Sequence, residues 1–482
     1  MPTTLIRNTA WLVAWDRTAG RHAYLRDADL AFADDRIIHV GPGFAGDADR
    51  EFDGRGLFVL PGLIDLHAHP SSEPAYRGVR EEHGVPEMYM TGLYERSCAF
   101  RTDDDGASAA AEVAFSELLC SGVTSLVDVS HAYPGWIDLL ARSGLRAWVA
   151  PWYGSASWRM EAGHRLGFVW DEAGGVRGMT EAEVLMSEAE AHPCGRLSGM
   201  YSPGTIDTCT EELLRDTVAA ARASGRPYTT HIAQSVVEFN LMVERHGMTP
   251  VQWAQAIGFL TPGALLAHAI FIDDHSWLHW RTRRDLSILA DAGVTVAHCP
   301  TPFCRYGQVL EDFGRYLKAG VTMGIGTDTL PHNFLEEMRK AAVLARIAAG
   351  DIAALGLADI LDAATFGGAN ALGRDDLGRL APGAKADIVV ADLANHHMRP
   401  VRDPLRSLVF SAAERAVKDV FVDGRQVVAD GKVTTLDPAA AHDRLQEAQA
   451  RMLAGGPKRD FAGRDAATIA PLSLPTMGAN RS

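Results

Sequence analysis

The chain has 482 residues, of which 47% are hydrophobic and 22% charged, with 61 acidic against 46 basic side chains and a formal charge of −15. That composition excludes a disordered or low-complexity protein and argues against a general binder of nucleic acid or anionic membrane. At ~150 residues per domain the length suggests two or three domains, or one barrel with an attachment. The opening MPTTLIRNTAWLVAWD has one basic residue and no long apolar run, so no secretory leader is expected. Residues 246–272 lack charged side chains but contain Pro250, Pro262, Gln252, Gln255, His246 and His268, which is not a membrane span. Six cysteines without a CxxC pair read as buried thiols of a cytoplasmic protein, not a disulfide scaffold or a Cys-rich zinc knuckle.

In chain order, residues 1–56 read as short strands with turn signals. Eight apolar runs follow, at 57–66, 123–129, 145–151, 196–202, 227–233, 264–272, 294–300 and 321–328. They are near-continuously apolar, as strands buried on both faces must be. Helical stretches alternate with them, several ending in Gly, the usual left-handed stop. Eight strands alternating with helices over 57–377 is the count of a (β/α)8 TIM-type barrel. A doubly wound open sheet is the rival, but no GxGxxG follows the first strand. Residues 378–435 return to the texture of 1–56, so the two ends are expected to build one small composite β-sandwich. A helix near 438–453 and a tail complete residues 436–482.

A parallel barrel carries its chemistry where the strands end. Strand one ends in His67-Ala68-His69, strand five in His231, strand six in His268, strand seven in His298 and strand eight in Asp328. Residues two apart on a strand face the same way, so His67 and His69 can grip one cation. Singly, each histidine has an ordinary core reading and Asp328 an ordinary N-cap reading. Their joint appearance at independently assigned strand ends favours a divalent metal held by imidazole and carboxylate, such as Zn²⁺.

PGLIDLHAHP, THIA, LLAHAIFIDD, AHCPTPF and GIGTDT together resemble the amidohydrolase superfamily, in its branch of s-triazine hydrolases and guanine, cytosine and adenosine-analogue deaminases. The terminal KADIVVADL and VFVDGRQVV fit that branch too. The resemblance implies one divalent metal per subunit, Zn or else Fe, Mn or Co, with His67, His69, His231 and Asp328 as ligands. It implies His268 and Asp328 as the catalytic pair that handles the proton of an activated water. The lysine that bridges two metals in binuclear relatives is missing, since the first lysine of the chain is Lys318. One metal is therefore expected, with a Glu-, Asp- or Cys-bridged pair as the remaining route to two.

The chain also departs from the pattern. Deaminases of this branch carry HxxE after strand five, and here Gln234 stands in place of the acid that protonates a ring nitrogen. Glutamine donates hydrogen bonds but transfers no proton, and Glu238 is the nearest replacement acid. His298 and His332 join Gln234 as candidate substrate contacts. The long loop after strand one (Glu81, Glu82, His83, Met88, Tyr89, Met90, Tyr94) and Trp136, Trp152, Tyr153 and Trp158 read equally as pocket lining or as packing.

These features point to hydrolysis of a non-peptide C–N bond (amide, urea, carbamate or similar) in a small apolar or aromatic molecule. The general character resembles the phenylurea- and thiocarbamate-cleaving members. Deamination or dechlorination of an aminated heterocycle is the alternative, and a metal-free binding protein the non-enzymatic one. A homo-oligomer is expected by analogy, with no nucleic-acid or membrane partner.

Overall fold

The computed structural model describes residues 2–81, 84–85 and 91–477. Its central strands are β1 (Leu63–Ala68), β2 (Val123–Ser130), β3 (Arg146–Tyr153), β4 (Leu197–Gly199), β5 (Tyr228–Ile232), β6 (Ala264–His268), β7 (Thr295–His298) and β8 (Thr322–Ile325). β1–β4 form one sheet, in which Ser202–Pro203 also pairs with β3, and β5–β8 form another. Every pairing in both is parallel. Isolated parallel bridges link them, Tyr201 to Tyr228 and Thr205 to His231 at one junction, and Ala68 to Asp328 at the other. The strands are almost wholly buried, which is why they read as continuous apolar runs.

Helices occupy the intervals, and their ends follow from local chemistry. In Glu211–Ser224 the Thr210 side chain accepts from the Leu213 N–H, Glu211 and Glu212 meet the positive end of the helix dipole, and Gly225 at φ 71° ends the helix. The fold is therefore α/β, as the alternation predicts.

The chain ends fold together. A seven-stranded sheet runs Lys432–Val433, Arg425–Ala429, Val417–Val422, Ile388–Asp392, Leu57–Pro61, Trp11–Asp16, Arg21–Leu25, and a four-stranded sheet holds the rest of residues 3–53. Ile6, Leu30 and Phe32 of the smaller sheet share one apolar cluster with Leu12, Val59, Ile388 and Phe421 of the larger. The run 57–66, read as one strand, is two. Leu57–Pro61 pairs antiparallel with Ile388–Asp392, and the chain turns at Gly62 before β1. A Cβ at Gly62 would lie 2.1 Å from Thr124 Oγ1, so no other residue fits that crossing.

One element escaped the pattern analysis. A hairpin, Ala156–Glu161 with Arg165–Trp170, follows β3. Helix Pro438–Gly455 lies along helix Asp104–Cys120, where Arg451 reaches Asp103 at 2.7 Å and Arg444 reaches Glu112 at 2.6 Å. No described helix is long and apolar enough to cross a membrane, and the six cysteines are unpaired.

A buried ion pair ties the terminal sheet to the central one. Arg146 at the start of β3 lies 3.3 Å from Asp387 and 2.9 Å from Asp423, and the Arg146 and Asp387 side chains are 3% and 4% exposed. Losing Asp387 leaves Arg146 with Asp423 alone and removes charge-assisted hydrogen bonds from a buried network, at a cost of about 1.5–3 kcal/mol. Asp387→Ala should therefore lower the unfolding free energy by that amount without changing metal content, which chemical unfolding and elemental analysis check together.

Candidate active site

The C-terminal ends of β1, β5, β6 and β8 bring five side chains together. Nε2 of His69 lies 3.1 Å from Nε2 of His231. Asp328 Oδ1 lies 3.3 Å from His69 Nε2 and 3.6 Å from His67 Nε2, and Asp328 Oδ2 lies 3.9 Å from His268 Nε2. Ligand atoms of His67, His69 and Asp328 lie within 4.8 Å of one another, as do those of His67, His231 and His268. A third group under the same limit adds Cys299 to His268 and Asp328.

The backbone places them. Asp328 donates its N–H to the His67 carbonyl at 2.7 Å, and its own carbonyl accepts from the His69 N–H at 3.1 Å. Asp328 sits at φ 59° and His268 at φ 81°, conformations that an L residue adopts only under tertiary constraint. Gly326 allows the close approach of β8 to β1, for a Cβ there would lie 2.8 Å from that of His67. Asp65, two residues before His67, accepts from the N–H groups of His67 and Thr327 at 3.0 and 3.1 Å and from the Thr327 hydroxyl at 2.7 Å. It staples β1 to the end of β8, and burial pushes its carboxyl up to about 7.

The tautomers decide what the cluster can hold. His69 donates Nδ1–H to the Val129 carbonyl, and His231 donates Nδ1–H to the Gly204 carbonyl, each at 2.7 Å. Both Nε2 atoms therefore present lone pairs, and those lone pairs face each other across 3.1 Å. Two lone pairs so close repel unless a positive centre lies between them. His67 is buried, and neither of its ring nitrogens has a hydrogen-bond partner among the described residues. Burial holds His231 well below its usual pKa, with the neighbouring imidazoles adding to the effect. Burial opposes ionisation of Asp328 too, but the adjoining imidazoles of His67 and His69 outweigh it and hold this carboxyl well below its usual range. Neutral imidazoles whose far nitrogens bond carbonyls, beside an ionised carboxylate, are the donor set and outer support of a divalent cation.

The cluster opens on a cavity of about 470 Å³. Trp152, Trp158, Phe303 and Tyr133 give it an aromatic wall, and Gln234 lies on the wall beside His231. The Gln234 amide nitrogen has no partner among the described residues. Glu238 does not line the cavity. Its carboxylate accepts from the backbone N–H groups of Ala233 and Gln234 at 2.5 and 3.0 Å, so it fixes the end of β5 and supplies no acid. His298 and His332 are also off the wall, in contrast to the sequence expectation. Both are buried, His298 packs edge-on to Phe313 at 5.5 Å, and burial pulls each pKa to about 3. Trp136 and Tyr153 belong to the core, where Trp136 donates to Asp128 and Tyr153 bonds Thr217. Glu82, His83, Met88, Tyr89 and Met90 lie outside the described residues, and Glu81 lines the cavity. The sequence reading missed Asp65, although its position two residues before His67 on one strand was a signal. It also missed Glu73 and Arg96, which line the cavity.

The comparisons agree with this geometry. The model of the amidohydrolase family matches residues 58–427. The chain is similar to a 5-methylthioadenosine/S-adenosylhomocysteine deaminase of Natronomonas pharaonis, 29% identical over 86% of this chain and 91% of that one. It is also similar to a 5′-deoxyadenosine deaminase of Methanosarcina mazei, 27% identical over 94% and 99%. Among solved structures, the zinc-complexed atrazine chlorohydrolase of Arthrobacter aurescens TC1 superposes with a TM-score of 0.79 at 26% identity, over 92% of this chain and all of that one. With a family match across most of its length, and a histidine–aspartate cluster suited to a divalent ion at its strand ends, this chain belongs to the amidohydrolase family and is a metal-dependent hydrolase of C–N bonds.

Proposed function

We propose that the protein hydrolyses a non-peptide C–N bond of amide, urea or carbamate type in a small aromatic molecule, with His67, His69, His231 and Asp328 holding one divalent ion, zinc by preference. The paired lone pairs of His69 and His231 carry the metal part of this reading. Gln234 carries the substrate part. In this reading β1–β8 close into one (β/α)8 barrel, supported by the bridges at both junctions. The two terminal sheets form a composite sandwich, supported by their shared apolar cluster.

When bound, the cation supplies charge that polarises a carbonyl and acidifies water toward a pKa of about 7. Burial keeps His268 neutral, with its pKa pulled down to about 3, so its Nε2 can accept a hydrogen bond that orients the attacking water. Asp328 Oδ2, 3.9 Å from that nitrogen, shares in the proton's passage to the leaving nitrogen. The Gln234 amide donates a hydrogen bond to substrate but cannot protonate a ring nitrogen. A polarised carbonyl needs no such acid. The aromatic wall of Trp152, Trp158 and Phe303 suits a flat, apolar body.

The relatives favour a second reading, deamination of an adenosine analogue or a related heterocycle. A panel of an anilide, a phenylurea and a phenyl carbamate beside 5′-deoxyadenosine and an aminotriazine separates the two. Turnover of the first group is expected, and ammonia release from the second group alone would reverse the assignment. Gln234→Glu should leave metal content unchanged and raise ring-amine turnover about tenfold or more, within the usual gain from a placed general acid. No response on any heterocycle would remove the role given to Gln234.

A further inference from the structure

The cavity wall next to His69 carries charge that the hydrolytic reading leaves unused. Glu73 follows β1, and its N–H donates to the His69 carbonyl at 3.1 Å, which fixes it beside the metal cluster. Its Oε1 accepts from Arg96 Nη2 at 3.1 Å, and the Arg96 guanidinium lies over the Tyr76 ring at 4.3 Å. Glu73, Arg96 and Tyr306 all line the cavity, and the Glu73 and Arg96 side chains are only 8% and 4% exposed. Glu73 Oε2, Arg96 Nε and the Tyr306 hydroxyl have no hydrogen-bond partner among the described residues.

A buried ion pair that serves only packing has its remaining lone pairs and protons satisfied, because each unmet one costs free energy. Among the described residues this pair makes a single hydrogen bond and keeps both an acceptor and a donor unmatched at the edge of a substrate-sized space. We propose that Glu73, Arg96 and Tyr306 form a polar subsite that binds a neutral donor–acceptor group of the substrate. A carboxylate there would be repelled by Glu73, and an ammonium by Arg96. A group offering an N–H or O–H to Glu73 and an oxygen to Arg96 is favoured by both. An amide or urea N–H with its carbonyl has that chemistry, and so does a vicinal pair of hydroxyls. The subsite rests on the hydrolytic reading and names the substrate feature that the site selects.

The test uses the full-length, zinc-loaded protein and two compound pairs. N-phenyl-N′-methylurea is compared with N-methyl-N-phenyl-N′,N′-dimethylurea, which lacks any N–H. 5′-Deoxyadenosine is compared with 2′,3′,5′-trideoxyadenosine, which lacks the diol. Binding is read by calorimetry, and KM and kcat are read wherever a compound is turned over. The subsite predicts that the wild type binds the donor-bearing member of at least one pair about tenfold more tightly, and the pair that responds identifies the source of the group. Glu73→Ala should remove that preference by raising Kd and KM of the donor-bearing member, with kcat within about threefold and zinc content unchanged. Glu73→Gln, which keeps shape and an acceptor, should retain part of it. Equal affinity within both pairs in the wild type, or a loss in Glu73→Ala that falls equally on donor-bearing and blocked compounds, would overturn the subsite. Binding with the predicted preference but without turnover of either pair would instead count against the hydrolytic reading.

Discussion

Replacing His69 or His231 by Ala should abolish bound metal and turnover together. Each imidazole spends its Nδ1 proton on a backbone carbonyl and offers Nε2 to the same point. Loss of either ligand removes a donor and also leaves a buried carbonyl without its N–H. Loss of an outer hydrogen-bond partner alone costs a metal site about 10–100-fold, so loss of a ligand should exceed that range in both affinity and kcat/KM. His298→Ala is the contrasting variant. That ring packs on Phe313 off the cavity wall, so its truncation should lower stability and leave metal stoichiometry intact. Elemental analysis of the three variants separates the outcomes.

Asp65 should give the second large effect, through folding and not chemistry. Asp65→Ala leaves the N–H groups of His67 and Thr327 and the Thr327 hydroxyl without their acceptor in a fully buried place. At about 1–3 kcal/mol per unmet group, the loss is about 3–9 kcal/mol, and the end of β8 that carries Asp328 comes loose from β1. Asp65→Asn should be far milder, since its oxygen accepts from both N–H groups and its amide meets the Thr327 hydroxyl. The pair also has a pH signature. Burial raises the folded-state pKa of Asp65 to about 7 from its ordinary 3.8. The folded state therefore binds the extra proton, and the stability this lends is fully present below about pH 4 and lost as pH rises through 7. Asn lacks that titration, so Asp65→Asn should gain on the wild type as pH rises from 4 to 7. Denaturant midpoints of the metal-stripped proteins at several pH values measure it.

The strand-end logic that located His67, His69, His231, His268 and Asp328 in the sequence rests on one regularity, that side chains at the C-terminal ends of parallel strands face a common space. The same logic selected His298, which obeys the spacing but turns its ring onto Phe313. Sequence position alone does not separate the two situations, because the ring's packing partner, Phe313, comes from a later helix, Phe313–Ala319. His332 is a related case. It is near Asp328 in sequence, but its N–H donates to Glu117 and the side chain is enclosed. The carbonyls of Val129 and Gly204 that orient the metal-facing imidazoles leave no trace in residue identity at all. The ion pair of Arg146 and Asp387 spans 241 residues, and nothing local marks either member. Gly62 shows the converse, a boundary visible as a Pro-Gly break within an apolar run and passed over because the run on both sides is strand.

The central claim is that one cation sits between imidazoles and a carboxylate drawn from β1, β5 and β8. Anomalous diffraction at the zinc edge from crystals of the purified, zinc-loaded protein tests it most directly. A single strong peak per subunit in contact with His67, His69, His231 and Asp328 is the predicted result. Density that leaves the His69 and His231 Nε2 atoms without a shared neighbour, or a peak held by other residues, would contradict it.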